Sequence, residues 1–122
     1  MATALVEIGR NSLWEKIQSG AELVLVDALS PISYAGVHLP GAINIPPDRV
    51  DELAELRIPD RDREVVVYCA GWDCDSSVEV AERLVALGYR NVLHYAGGKD
   101  DWREAGLPLE GGRVGAKPPG VP

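Results

Sequence analysis

The two cysteines of this chain both fall in one stretch, Glu64 to Ser77, which reads EVVVYCAGWDCDSS. Cys69 closes an apolar run of valines and a tyrosine. Cys74 lies between Asp73 and Asp75 in an acidic loop, and Ser76 and Ser77 open a helix-like segment. A thiol at a strand-to-helix junction can do nucleophilic chemistry. The first N–H groups of a helix have no partner within it, and together with the helix dipole they favour negative charge nearby. A thiolate there has a lowered pKa and is a nucleophile near neutral pH. Asp73 and Asp75 work against it, because like charge disfavours the thiolate, so the expected net depression is moderate. The other reading of Cys69 is a small buried residue that ends a strand, and spacing alone leaves both open. A local Cys69–Cys74 disulfide would tie down little chain, so reactive or buried thiols explain the pair better than a staple does. The only histidines, His38 and His94, are not at zinc-ligand spacing from the cysteines. No metal and no cofactor is expected.

The elements that must position this junction can be read from pattern and punctuation. TALVEIG, ELVLVDA, AINIP, EVVVYC and NVLHYA read as strands. ELVLVDA and EVVVYC are nearly continuous apolar runs, as in strands buried on both faces. NSLWEKIQSG reads as a helix with a capping box at Ser12 and Glu15 and a stop at Gly20. LSPISYAGVHLPG reads as a loop holding one helical turn, and Val50, Leu53 and Leu56 sit at helical spacing. After the acidic loop, Ser76 and Glu79 repeat the capping-box pattern. Val80, Ala81, Leu84, Val85 and Leu87 then form an apolar stripe that ends at Gly88. DRDRE reads as a solvated turn. Strands alternating with helices predict a single α/β domain, with a mostly parallel sheet and helices on both faces. In such sheets, sites form at the carboxyl ends of strands, which is where Cys69 falls.

With 122 residues the chain fits one domain with a real core. Its net charge of −7 argues against nucleic-acid or anionic-membrane partners, which require a basic footprint. No apolar run is long enough to span a bilayer. MATALVEIGR lacks the basic and apolar regions of a signal peptide, so a cytoplasmic location is expected. The Gly- and Pro-rich end, residues 112–122, is expected to be a tail draped outside the domain of residues 1–111. Nothing in the sequence sets the oligomeric state.

Three segments, in order, resemble the rhodanese-like single-domain sulfurtransferases: LVDALSPISYAGVHLPGAINIP, VVVYCAG…SS, and ALGYRNVLHYAGGKDDWREAGLP with its paired glycines, tryptophan and Gly-x-Pro. The resemblance runs from about Val6 to Gly111. It implies that Cys69 is the nucleophile and carries sulfane sulfur as a persulfide. It also implies that Ala70, Gly71, Trp72, Asp73, Cys74, Asp75 and Ser76 form the active-site loop or substrate-binding cradle. The partners it implies are a small-molecule or protein persulfide donor and a thiol acceptor. The chain departs from the common pattern in its longer Cys-x4-Cys loop, in the absence of a loop arginine, and in Ala28 where an arginine often follows the aspartate. A related phosphatase reading fails on that missing arginine, which would hold phosphoryl oxygens bidentately. Two alternatives stay open: a thiol redox protein in which Cys74 resolves Cys69 through a disulfide, and a non-catalytic binding module of the same fold. Among the remaining residues, Asp27 reads as structural, with a backbone or arginine partner. Tyr34 and His38 read as loop supports, Trp72 as a pocket wall, and Trp14 and Trp102 as core or rim. His94 is expected to point outward from its strand. With Asp73 and Asp75 flanking the site, thiosulfate, a dianion, is expected to be a poor donor.

Overall fold

The computed structural model describes residues 5–112. The first residues of the TALVEIG strand and the tail from residue 113 onward lie outside that range. The chain order is β1 (Val6–Glu7), α1 (Arg10–Gln18), β2 (Leu23–Asp27), α2 (Pro31–Gly36), β3 (Ile43–Asn44), a 3₁₀ turn (Pro47–Arg49), α3 (Val50–Arg57), β4 (Glu64–Tyr68), α4 (Ser76–Ala86), β5 (Val92–Tyr95) and α5 (Gly98–Glu104). The strands form one sheet in the order β1-β5-β4-β2-β3, with every pairing parallel. No helix among the described residues is long and apolar enough to cross a membrane.

The apolar runs become the central strands because both faces are covered. Alternate residues of β4 go to opposite cores. Val65, Val67 and Cys69 pack with Val50 and Ala54 of α3 and with Val80, Ala81 and Leu84 of α4. Val66 and Tyr68 pack with Leu13 of α1 and Trp102 of α5. Trp102 is fully buried, its indole N–H donating to the Pro108 carbonyl at 2.7 Å. Trp14 meets its ring edge-on from the rim, the centroids 5.7 Å apart.

Several local expectations are corrected. Both capping boxes fail. Helix α1 starts at Arg10 with Gly9 as its N-cap, and α4 starts at Ser76 after Asp75, neither with a side-chain cap bond. The serines lie within the helical turns instead of before them. Leu56 is exposed, while Val50 and Ala54 carry the face of α3. Six residues beyond Val50 is about 240° around a helix, which turns Leu56 away. The DRDRE turn is only partly solvated. Arg61 donates to the Leu87 carbonyl at 3.0 Å and lies over the Tyr89 ring, closing the end of α4. Gly88 stops that helix as expected, at φ +97°, a left-handed conformation that glycine adopts without steric cost.

At the carboxyl edge of the sheet, Asp27 is fully buried. Its Oδ1 accepts from the Leu29 N–H at 2.9 Å and its Oδ2 from the Tyr68 hydroxyl at 3.2 Å. The charge partner is Lys99 of α5, with Nζ 3.1 Å from Oδ2. Lys99 is itself only 6% exposed. The backbone partner was legible in advance; the cation is a lysine from a distant helix, where an arginine was anticipated. Breaking such a pair strands a buried charge and typically costs about 3–5 kcal/mol. We expect Lys99→Met, which keeps the length of the side chain and removes the ammonium, to lower unfolding stability by about 3 kcal/mol. Urea denaturation measures this, and an unchanged midpoint would show that the pair does not anchor the edge.

Candidate active site

Cys69 follows the last residue of β4 and is 1% exposed. The residue sits low because the start of α5 clamps its backbone. The Lys99 N–H donates to the Cys69 carbonyl at 3.0 Å, and the Asp100 N–H to the Ala70 carbonyl at 2.8 Å. This close approach depends on Gly98, at φ +61°. A Cβ there would run into the Cys69 carbonyl oxygen and come within 2.9 Å of Ala70 C and Gly71 N. Of the paired glycines of the closing segment, Gly98 is therefore the contact surface for the loop after Cys69, while a Cβ on Gly97 would meet the Asp101 side chain.

Beyond Cys69 the loop turns back on itself, with the Cys74 N–H donating to the Gly71 carbonyl at 3.2 Å. That turn brings Cys74 over Cys69. The two sulfurs are joined as a disulfide, with Cα atoms 6.3 Å apart, inside the range a disulfide requires. In this oxidised form Cys74 covers the buried Cys69 sulfur. A cleft of about 300 Å³ opens over the loop, lined by Ala70, Gly71, Trp72, Asp73, Cys74 and Asp100.

Five of the residues expected to build the cradle, Ala70 to Cys74, do line this cleft. Asp75 and Ser76 do not. Asp75 precedes α4 in a helical conformation, and Ser76 is the first helical residue. Asp100 takes the acidic place that the sequence reading gave to Asp75; a Cβ on Gly71 would lie 2.8 Å from its carboxylate. Trp72 is 71% exposed and forms an edge between this cleft and a second one near Arg10 and Tyr95. No basic residue lines the first cleft. A neighbouring cleft shares Ala70 and Asp100 and adds Lys99, which is committed to Asp27, and Arg103.

Tyr34 and His38 line none of these clefts. Their rings stack at 4.1 Å, and the Tyr34 hydroxyl donates to the Ala42 carbonyl at 2.6 Å. Main-chain bonds of His38 to Glu110 fasten the end of the domain to the segment after α2. They brace the connection from β2 to β3.

The largest correction concerns His94. It points inward and is only 7% exposed. Its Nε2 lies 2.8 Å from the Ser77 hydroxyl oxygen, which lies 3.2 Å from the Cys69 sulfur. An outward side is available only to a strand with one wet face, and β5 is covered on both. Ser77 is 2% exposed and sits one position into α4 from Ser76. Burial pushes the His94 pKa below its ordinary value, and the Glu7 carboxylate pulls it partly back.

These features match known proteins. The rhodanese-like domain family model matches residues 10–105, and the chain belongs to that family. It is 36% identical over 104 residues to the thiosulfate sulfurtransferase GlpE of Haemophilus influenzae, covering 85% of this chain and 93% of that protein. It is 40% identical over 110 residues to the HTH-type transcriptional regulator Rv0324 of Mycobacterium tuberculosis, covering 88% of this chain. The chain spans only 46% of the length of that regulator. The crystal structure of the BH2092 protein of Bacillus halodurans superposes with a TM-score of 0.83 at 29% identity, covering 93% of this chain and 81% of that one.

If the contact at Gly98 sets the loop, Gly98→Ala should displace it. We expect about 2–4 kcal/mol of destabilisation from strain and overlap together. We also expect faster alkylation of reduced Cys69, as the clamp on its carbonyl loosens. Unchanged stability and labelling rate would show that the loop holds itself.

Proposed function

We propose that this protein is a rhodanese-type sulfurtransferase that moves a sulfane sulfur through a persulfide on Cys69 to a thiol acceptor. The observation that carries the reading is the placement of Cys69. It is a thiol at the carboxyl end of a central parallel strand, beneath a loop that opens into a cleft. Family membership and the similarity to a thiosulfate sulfurtransferase support it.

The chemistry starts from the reduced protein. The Cys69 thiolate attacks the outer sulfur of a donor R–S–SH. The donor S–S bond breaks, RS⁻ leaves, and Cys69–S–SH forms. An acceptor thiolate R′S⁻ then attacks the outer sulfur, forming R′S–SH and returning the Cys69 thiolate. Both steps exchange one S–S bond for another, so no outside oxidant or reductant takes part. Ala70 to Cys74 shape the cleft in which donor and acceptor meet.

The disulfide favours a second reading of the same site, with Cys74 as a resolving thiol. Its thiolate would attack the inner sulfur of the Cys69 persulfide, forming the Cys69–Cys74 disulfide and releasing HS⁻. Such a protein would deliver sulfide and would need reduction before each new cycle. Intact-mass measurement separates the readings. We expect the reduced wild type to gain one sulfur from a persulfide donor, and Cys69→Ser to gain none while staying folded, because a hydroxyl is too weakly acidic and too poor a sulfur carrier. Cys74→Ser should stop at the persulfide, whereas a resolving wild type should pass on to the disulfide. Sulfur loading by Cys69→Ser at the wild-type rate would overturn both readings.

The cleft's charge bears on the donor. Asp73 and Asp100 face it from two sides, and the cations nearby are Lys99, already paired with Asp27, and, in the two adjoining clefts, Arg10, paired with Asp101, and Arg103. A unit charge at about 6 Å and an effective dielectric of about 20 opposes an incoming charge by roughly 2–3 kcal/mol, which solvent and salt reduce to about 1 kcal/mol. We propose that a persulfide or protein-linked donor serves better than the thiosulfate dianion. Replacing Asp73 and Asp100 by asparagine should lower the thiosulfate KM about thirtyfold at low salt, and less at high salt. A KM independent of both the substitutions and ionic strength would remove the cleft's charge as the selector.

A further inference from the structure

We propose that Ser77 and His94 form a proton relay to Cys69, backed by Glu7, which activates the nucleophile from the sheet side. The proposal rests on the sulfur-transfer reading for the use of that nucleophile, but its geometry stands independently. Four residues from four places in the chain line up: Cys69 after β4, Ser77 in α4, His94 in β5 and Glu7 in β1. The sulfur is 3.2 Å from the Ser77 hydroxyl oxygen, and that oxygen is 2.8 Å from His94 Nε2. His94 Nδ1 faces the Glu7 carboxylate at 3.7 Å. Glu7 and His94 are register partners on adjacent parallel strands, so their side chains share a face. The other register partner of His94 is Val67 on β4, which brings no charge. Glu7 from β1, Cys69 after β4 and Ser77 from α4 are thus the polar and titratable groups that face it.

The arrangement has a direction. The Glu7 carboxylate, 3.7 Å from Nδ1, electrostatically favours the imidazole tautomer with its proton on Nδ1, which leaves Nε2 to accept from Ser77. In the reduced protein the Cys69 thiol donates to the Ser77 oxygen. The thiol proton passes to that oxygen as the Ser77 hydroxyl proton passes to Nε2. The products are a Cys69 thiolate, an intact Ser77 hydroxyl and a His94 imidazolium, with no net change in charge. Ser77 then donates to the thiolate, and the imidazolium donates to Ser77. The loop cannot supply this help, because it holds no basic residue and Lys99 is engaged with Asp27. Burial keeps His94 mostly neutral near pH 7 by lowering its pKa, and only a neutral imidazole can take the proton. As pH falls through that lowered pKa, the relay is blocked.

Ser77 touches the reacting sulfur. His94 acts through Ser77 and is a positioning residue that holds the proton. The test reads thiolate formation directly, in the reduced full-length Cys74→Ser protein where Cys69 is the single thiol. We expect Ser77→Ala and His94→Gln each to cut the neutral-pH rate of iodoacetamide labelling about tenfold, a rise of about one unit in the apparent pKa of the thiol. The double variant should be no slower than either single one. A folded His94→Gln protein with an unmoved pH profile would overturn the relay, as would an effect of Ser77→Ala that His94→Gln does not share. A second measurement changes neither residue. NMR titration of the two histidines before and after alkylation of Cys69 should move the midpoint of His94 and leave that of His38 in place. An unmoved His94 midpoint would also overturn it. Sulfur loading followed by mass keeps the two proposals apart. If labelling shifts in the variants but the Cys74→Ser protein takes sulfur from no donor, the transfer reading fails and the relay stands. Sulfur loading with unshifted labelling ends the relay alone.

Discussion

The buried carboxylate of Asp27 is the constraint on which the carboxyl edge of this sheet depends. It ends β2 inside the protein, where an ionised group is tolerated only when paired and hydrogen-bonded. Its needs are met from three directions: the Leu29 N–H, the Tyr68 hydroxyl of β4 and the Lys99 ammonium of α5. Tyr68 in turn accepts from the Leu39 N–H at 2.9 Å. Holding Lys99 in place holds the start of α5, and the first N–H groups of α5 hold the carbonyls of Cys69 and Ala70. One buried charge thereby fixes the backbone that carries Cys69. Burial also keeps the Tyr68 hydroxyl protonated, its pKa raised chiefly by desolvation and further by Asp27, so it remains a donor to that carboxylate.

Coverage of both sheet faces has a second consequence. Every side chain of an interior strand must be buried somewhere, so a polar residue in β5 has to find a partner inside. His94 finds Ser77, and Ser77 finds the sulfur of Cys69. A neutral imidazole and a hydroxyl can share this space at modest cost because each satisfies the other. The packing that makes the fold stable also places a titratable group within one hydroxyl of the Cys69 sulfur.

Much of this was legible in the sequence, and the misses share a cause. The valine run of β4, the apolar stripe of α4 and the stop at Gly88 are local signals, and the strand-loop-helix junction at Cys69 could be read directly from them. The capping boxes at Ser12 and Ser76 were local signals too. They failed because helices α1 and α4 begin earlier than, or at, the serines, and boundaries respond to tertiary packing as much as to capping. The partners that lie far apart in sequence were missed: Lys99 for Asp27, Asp100 for the cleft and His94 for Ser77. No spacing rule reports such contacts, since they arise only once the strand order β1-β5-β4-β2-β3 is known. His94 was the avoidable miss. Strict alternation was applied to it although its strand belonged to a sheet already expected to be covered on both sides.

These contacts together set the charge balance of the site. The ammonium that could have steadied a thiolate is bound to Asp27, and the carboxylates Asp73 and Asp100 face the cleft. A resident cation beside the sulfur would stabilise the thiolate at all times and would attract small anions without discrimination. In the proposed relay, a neutral histidine behind a hydroxyl provides positive charge only when the thiol gives up its proton, and only at the inner side of the sulfur. The outer side stays acidic and presents the exposed Trp72 as its rim. On the proposed reading, a site with activation inside and repulsion outside would favour a donor that brings sulfur on a neutral or cationic carrier over one that brings it as a free anion. In the oxidised form, Cys74 covers the same sulfur from the outer side, so the proposed inner relay has a proton to move only when the loop is reduced.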